Sequence, residues 1–154
     1  MLRKRGLYAI KALLELAREP LAWRSVNQLA HAQSLPAPML EQLLLQLRRA
    51  DLVEARRGRS GGYRLRRPAR ETRLAAILSA VEDGPPLDAS SDSNREEGWG
   101  EERGAAGDRV VSALQRRLQR ALQRELAALS LEDLLFDLRS WQESLREDGG
   151  LMVG

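Results

Sequence analysis

The sequence predicts a mainly α-helical chain with one small β-hairpin, and three observations predict it. Apolar residues recur at helical spacing over much of its 154 residues. A glycine-rich turn, Arg57-Gly58-Arg59-Ser60-Gly61-Gly62, is flanked by short alternating segments, the pattern of a two-stranded hairpin. Beyond an acidic interval, a leucine stripe marks a further long helix.

The elements follow in order. Leu7, Ile10, Leu14 and Ala17 fall at steps of three, four and three on one helical face, and Glu19-Pro20 ends the run. Ser25 and Gln28 form a capping-box pair, so a short second helix starts near Val26 and stops at Gln33-Ser34-Leu35-Pro36. A third helix runs from about Ala37 to Ala50 with Leu40, Leu43, Leu44 and Leu47 on one face. Pro36 and Pro38 suit its opening turn, where a missing N–H costs nothing. Val53-Glu54-Ala55-Arg56 and Tyr63-Arg64-Leu65-Arg66 make the hairpin strands, and Thr72 to Val81 a fourth short helix. Residues 83–108 carry almost no periodic apolar signal and read as an acidic flexible loop. Val111, Leu114, Leu118, Leu122 and Leu126 then stripe a long helix, and that stripe needs a partner to cover it. Ser130 with Asp133 restarts the chain as a final helix to about Glu147 through Leu134, Leu135, Leu138, Trp141 and Leu145, and residues 148–154 are expected to fray. The resulting organisation is residues 1–82, the loop 83–108, a helical part 109–147 and a tail.

Composition limits the function. With 43% hydrophobic and 31% charged residues the chain can bury a core and is too charged for a membrane protein. No run of about 18 apolar residues and no export leader is read, so a cytoplasmic protein without membrane contact is expected. The absence of cysteine excludes disulfides, thiolate nucleophiles and thiolate metal sites. One imidazole, His31, is expected to be a surface or packing residue, and neither metal nor cofactor is expected. No nucleophile, paired-carboxylate or phosphate-loop motif points to an enzyme.

Charge is divided along the chain. Residues 1–73 hold 16 Lys and Arg against 6 Asp and Glu, whereas residues 74–154 hold 9 against 16. The basic half is where a polyanion should bind. Helices two and three meet the offsets of a helix-turn-helix with Ser34 at the turn: Ala30 lies four before it, Leu40 six after and Leu43 nine after. A basic hairpin directly afterwards makes this a winged helix-turn-helix. Arg57 and Arg59 suit a narrow minor groove, and Gly58, Ser60, Gly61 and Gly62 let the backbone approach phosphate.

The residues also resemble the Rrf-type family of bacterial regulators that includes IscR, NsrR, RirA and CymR. The resemblance rests on Tyr8-Ala9-Ile10, Met39-Leu40-Glu41-Gln42-Leu43, Leu47-Arg48-Arg49, Leu52-Val53, Arg57-Gly58, Gly61-Gly62-Tyr63, Ala80-Val81-Glu82 and Ser130-Leu131-Glu132-Asp133-Leu134. It implies a transcription regulator, such as a repressor, that binds double-stranded DNA as a homodimer on a partly palindromic operator. The long helix would hold the dimer through Val111, Leu114, Leu118, Leu122 and Leu126. It carries base reading to Pro38, Glu41 and Gln42, and phosphate contacts to Arg3, Lys4, Tyr8 and Arg48. Many relatives bind an iron–sulfur cluster through three loop cysteines. Here the places of the last cysteine and of a following histidine ligand look like Arg109 and Ser112, so the resemblance stops at the cluster and leaves room for a protein or small-molecule effector. Glu96, Glu97, Glu101 and Glu102 around Trp99 make the loop a solvated linker, with a partner contact, a loosely bound cation or competition with DNA for the basic half as the alternatives. A winged-helix adaptor that binds proteins and never reads DNA is the alternative.

Overall fold

The computed structural model describes residues 2–82 and 102–151. Its elements are α1 (Lys4–Arg18), α2 (Val26–Gln33), α3 (Ala37–Arg49), β1 (Val53–Arg56), β2 (Gly62–Leu65), a 3₁₀ turn (Ala69–Glu71), α4 (Leu74–Val81), α5 (Glu102–Ala128) and α6 (Leu131–Leu151). Most of the core is built from leucines of α1, α3 and α4, with Leu13, Leu16, Leu43, Leu44, Leu47 and Leu78 fully buried.

The local signals place the boundaries. Ser25 accepts from the Gln28 backbone N–H at 3.1 Å while Gln28 accepts from the Ser25 N–H at 2.9 Å, so the capping box closes as the sequence indicates. Ser34 takes the left-handed conformation (φ 53°, ψ 50°), and the Leu35 N–H returns to the Ala30 carbonyl at 2.9 Å. Asp51 repeats this after α3 with φ 60°, and the Leu52 N–H bonds the Leu47 carbonyl, turning the chain into β1. Antiparallel β1 and β2 pair in the register Val53 with Leu65 and Arg56 with Gly62.

Two connections lie beyond a simple reading of the elements. Arg24 exchanges both backbone hydrogen bonds with Tyr63, adding a one-residue third strand that fastens the hairpin to the α1–α2 loop. Arg73 pairs with Ser130: the Leu74 N–H bonds the Leu129 carbonyl, and the Leu131 N–H bonds the Thr72 carbonyl at 2.8 Å. Ser130 caps α6, its hydroxyl accepting from the Asp133 N–H and donating to the Asp133 carboxylate.

Three expectations change. The buried face of α1 is Gly6, Ala9, Ala12, Leu13, Leu16 and Ala17, with Leu7 exposed and Ile10 and Leu14 only partly covered. Small residues on that side let α4 approach: a Cβ on Gly6 would stand 2.7 Å from the Leu78 side chain. The long helix begins at Glu102, inside the interval assigned to the loop, and the last helix continues to Leu151. Residues 83–101 and Trp99 lie outside the described residues.

Candidate nucleic-acid interface

Helix α3 is amphipathic, and its two faces have separate work. Leu40, Leu43, Leu44 and Leu47 are inside, which turns Pro38, Glu41, Gln42, Leu45, Arg48 and Arg49 outward. Pro38 sits in the first turn and breaks no bond there. Glu41 and Gln42 are exposed one turn further on, and Arg48 lies two turns beyond Glu41 on the same side. Leu45, 41% exposed among these polar groups, is a member of the face that the leucine pattern alone conceals. An apolar side chain there has a chemical counterpart in the thymine methyl group.

The start of α1 brings Arg3, Lys4 and Tyr8 to the surface. Lys4 lies 5.8 Å from the Tyr8 ring centroid, a cation–π distance that orders both side chains. Arg5, not singled out by sequence, fixes this end: its guanidinium bonds Gln46 Oε1 at 2.6 Å and the Val81 carbonyl at 3.3 Å. It thereby ties α1 to α3 and α4. Glu82 adds a buried carboxyl whose Oε1 accepts from the Arg3 N–H at 3.4 Å and whose Oε2 has no hydrogen-bond partner among the described residues.

At the hairpin, Arg57, Gly58, Arg59 and Ser60 are all exposed and form the tip. The Gly61 N–H closes the turn on the Gly58 carbonyl at 3.1 Å. Gly62 has φ +140° and would carry a Cβ 2.4 Å from the Arg24 carbonyl, so both conformation and space demand glycine there. Arg56 donates to the Ser60 carbonyl at 2.8 Å, bracing the tip from its base.

Trp23 is the central side chain that sequence reasoning passed over. The Arg56 guanidinium lies 4.7 Å from its ring centroid and that of Arg64 4.3 Å, so two cations lie against the indole. Arg64 also pairs with Glu54 across the strands. Beneath it, Glu15 is buried and accepts from Gln33 at 2.8 Å, Arg18 at 3.2 Å and Arg24 at 3.3 Å. Burial works against its ionisation, but the Gln33 hydrogen bond and the Arg18 and Arg24 charges outweigh it and hold the carboxyl below its ordinary value. Partners 33 and 41 residues away leave no local trace around Trp23.

Helix α5 presents the opposite situation. Val111, Leu114 and Leu118 are 55%, 53% and 60% exposed, with Val110 beside them. Leu122 is half-buried, and Leu126 is covered by the chain's own core against α4, so it does not belong to the exposed stripe. His31 is exposed, and no group of three metal-ligating side chains gathers among the described residues. No described helix is long and apolar enough to cross a membrane.

A helix pair turning through a left-handed residue, followed at once by a basic hairpin held on glycine, is the winged helix-turn-helix of DNA-binding proteins. The model of the Rrf2 family, described as an iron-dependent transcriptional regulator, matches residues 2–137. The chain is 36% identical over 148 residues to slr0846 of Synechocystis, which bears the name of an HTH-type transcriptional regulator, covering 95% of each. It is 32% identical to IscR of Vibrio parahaemolyticus over 99% of this chain and 87% of that protein. Among solved structures, T. potens IscR superposes with TM-score 0.71 at 26% identity, covering 92% of this chain and 90% of its own. CymR, the global cysteine regulator of B. subtilis, gives 0.70 at 26% identity over 88% and 95%. The chain belongs to the Rrf2 family of transcriptional regulators. The iron dependence in that family description meets a chain with no cysteine, so the thiolates an iron–sulfur cluster requires are not supplied.

Proposed function

We propose that the protein regulates transcription as a homodimer bound to a partly palindromic operator, and that it does so without an iron–sulfur cluster. The observation that carries this reading is the opposed exposure of two amphipathic helices. Helix α3 hides its leucines and offers polar groups, whereas the N-terminal part of α5 leaves Val111, Leu114 and Leu118 open. The first arrangement suits a DNA groove; the second suits an identical helix from another copy.

On DNA, α3 enters the major groove with Pro38, Glu41 and Gln42 leading. Glu41 accepts from a cytosine N4 amine, Gln42 pairs with adenine, and Leu45 lies against a thymine methyl. Arg48, Arg3, Lys4 and Tyr8 contact phosphates, which fix register without specifying sequence. Arg57 and Arg59 enter the adjacent minor groove, while Gly58, Ser60, Gly61 and Gly62 allow the backbone near the phosphates. Two copies joined along α5 present two such heads to two half-sites.

Selection of bound sequences from a random DNA pool tests the reading, followed by shift assays across salt. Glu41→Ala should change base preference at one position by about 1–3 kcal/mol. Arg48→Ala should weaken all sequences alike and lower the salt slope by about 1. Equal, weak binding to selected and random DNA at physiological salt would replace this reading with that of a protein-binding adaptor.

A further inference from the structure

A cleft of about 550 Å³ lies between the wing and α6, away from the reading face of α3 and from the open stripe of α5. Its walls come from the α1–α2 connection (Pro20, Leu21), strand β2 and the residues after it (Arg64 to Pro68), and α6 (Glu132, Phe136, Arg139). That volume is in the range of small-molecule sites.

Two large apolar side chains flank it without cover: Leu21 is 85% exposed and Phe136 72% exposed. Phe136 shares one face of α6 with Glu132 and Arg139, at helical steps of four and three. Leu134 and Leu138, on the other side of α6, pack against the core, and Phe136 is left open. The charges around the cleft are unbalanced. Arg64, Arg66, Arg67 and Arg139 face two acids, Glu54 and Glu132. Arg64 is paired with Glu54 and Arg66 with Asp51, whereas Arg67 and Arg139 have no carboxylate partner among the described residues. An open apolar pair beside two uncommitted guanidinium groups matches one chemistry: an apolar body carrying a planar anion, which arginine binds in a bidentate manner.

We infer that this cleft is an effector site for a small carboxylate with an aromatic or branched apolar body. Arg67 and Arg139 hold the carboxylate, and Leu21 and Phe136 cover the body. The site adjoins the reading head through Arg64, which lines the cleft, stacks on Trp23 and belongs to the strand that leads from the wing tip. A second anion near Arg64 competes with Glu54 for the guanidinium and alters the support of the wing. The binding claim stands on the cleft alone; the regulatory consequence rests on the DNA-binding reading above.

The test titrates the full chain, without DNA, with phenylacetate and 4-methylpentanoate by calorimetry, using phenethylamine and inorganic phosphate as controls. The expected result is saturable binding of the carboxylates, weaker binding of phosphate and none of the amine. Arg67→Ala/Arg139→Ala and, separately, Phe136→Ala should each weaken carboxylate binding at least about tenfold, a loss of about 1.4 kcal/mol, while leaving the thermal midpoint unchanged because these side chains are exposed. No saturation by either carboxylate up to about 10 mM, a ceiling weaker than ordinary effector affinities, overturns the site. So does undiminished binding by the double variant, and equal binding of phosphate overturns the amphipathic ligand class. In a shift assay on selected DNA, bound phenylacetate should change affinity severalfold. Binding without any change in DNA affinity overturns the regulatory role and leaves DNA recognition itself untouched.

Discussion

Helices α3 and α5 are written in nearly the same alphabet, leucine stripes with arginine and glutamine between them, yet they end in opposite surroundings. In α3 the stripe is the floor of a core, with Leu40, Leu43, Leu44 and Leu47 at most 1% exposed. In α5 only the C-terminal end, around Leu126, reaches that core, and the stripe toward the N-terminus stays bare. The difference teaches that periodicity identifies an amphipathic helix but not which face is offered outward. Coverage decides that, and coverage depends on what α1, α4 and the hairpin leave room for.

The comparison breaks most visibly in the core. Leu43→Ala should cost about 2–5 kcal/mol of folding stability, because a fully buried leucine loses its transfer energy and leaves a cavity. Urea unfolding measures it, and a cost under about 1 kcal/mol would show that α3 is not held by its stripe. In α5 the same type of change should act on association instead. Leu118→Ala should weaken self-association by about 1–2 kcal/mol in sedimentation experiments while leaving the helical circular dichroism intact. A drop in monomer stability with no change in association would reverse the contrast between the two helices.

A third variant sharpens the comparison at the wing. Trp23→Ala removes a ring that contacts two guanidinium groups, each such contact being worth about 0.5–1 kcal/mol near a surface. Footprinting should show weakened minor-groove protection with major-groove protection by α3 retained; equal loss in both grooves would make Trp23 a general core residue. The smallest effect is expected at Glu15. Because its folded carboxyl titrates below the ordinary value of 4.5, the folded state binds fewer protons in that range. Its contribution is present above about pH 4.5 and is lost as pH falls toward the lowered folded value. Acid unfolding of Glu15→Gln should therefore be less steep than that of the wild type, and parallel curves would argue against the lowered value.

The parts legible in the sequence are those whose cause is local. Ser25 and Gln28 are three residues apart, Ser34 sits between two helical patterns, and the three glycines of the wing fall within five consecutive residues. The buried face of α1 escapes a pattern search for a physical reason: leucine and isoleucine dominate the pattern, while Gly6, Ala9 and Ala12 bury less area, and Gly6 leaves the space that Leu78 of α4 takes. The first turns of α5 carry Gly104 and Gly107 with little apolar periodicity, which hides a helix start that the chain nonetheless forms. Within the candidate interface, the polar residues of α3 and the tip arginines were visible. Trp23, Arg5 and Gln46 were not, because each acts through a partner far away in the chain.

The paired backbone at Thr72–Leu74 and Leu129–Leu131 sets a mechanical ratio. It is the joint by which a reading head is mounted on a helix of 27 residues, a shaft about 40 Å long. A tilt of about 5° at such a joint displaces the far end by about 3.5 Å, close to one base-pair step of the duplex. Two hydrogen bonds and the Arg73 guanidinium on the Ala128 carbonyl thus set the angle between head and shaft. In the dimer proposed above, Arg73→Ala should change the preferred number of base pairs between half-sites, measured by binding to operators of varied spacing.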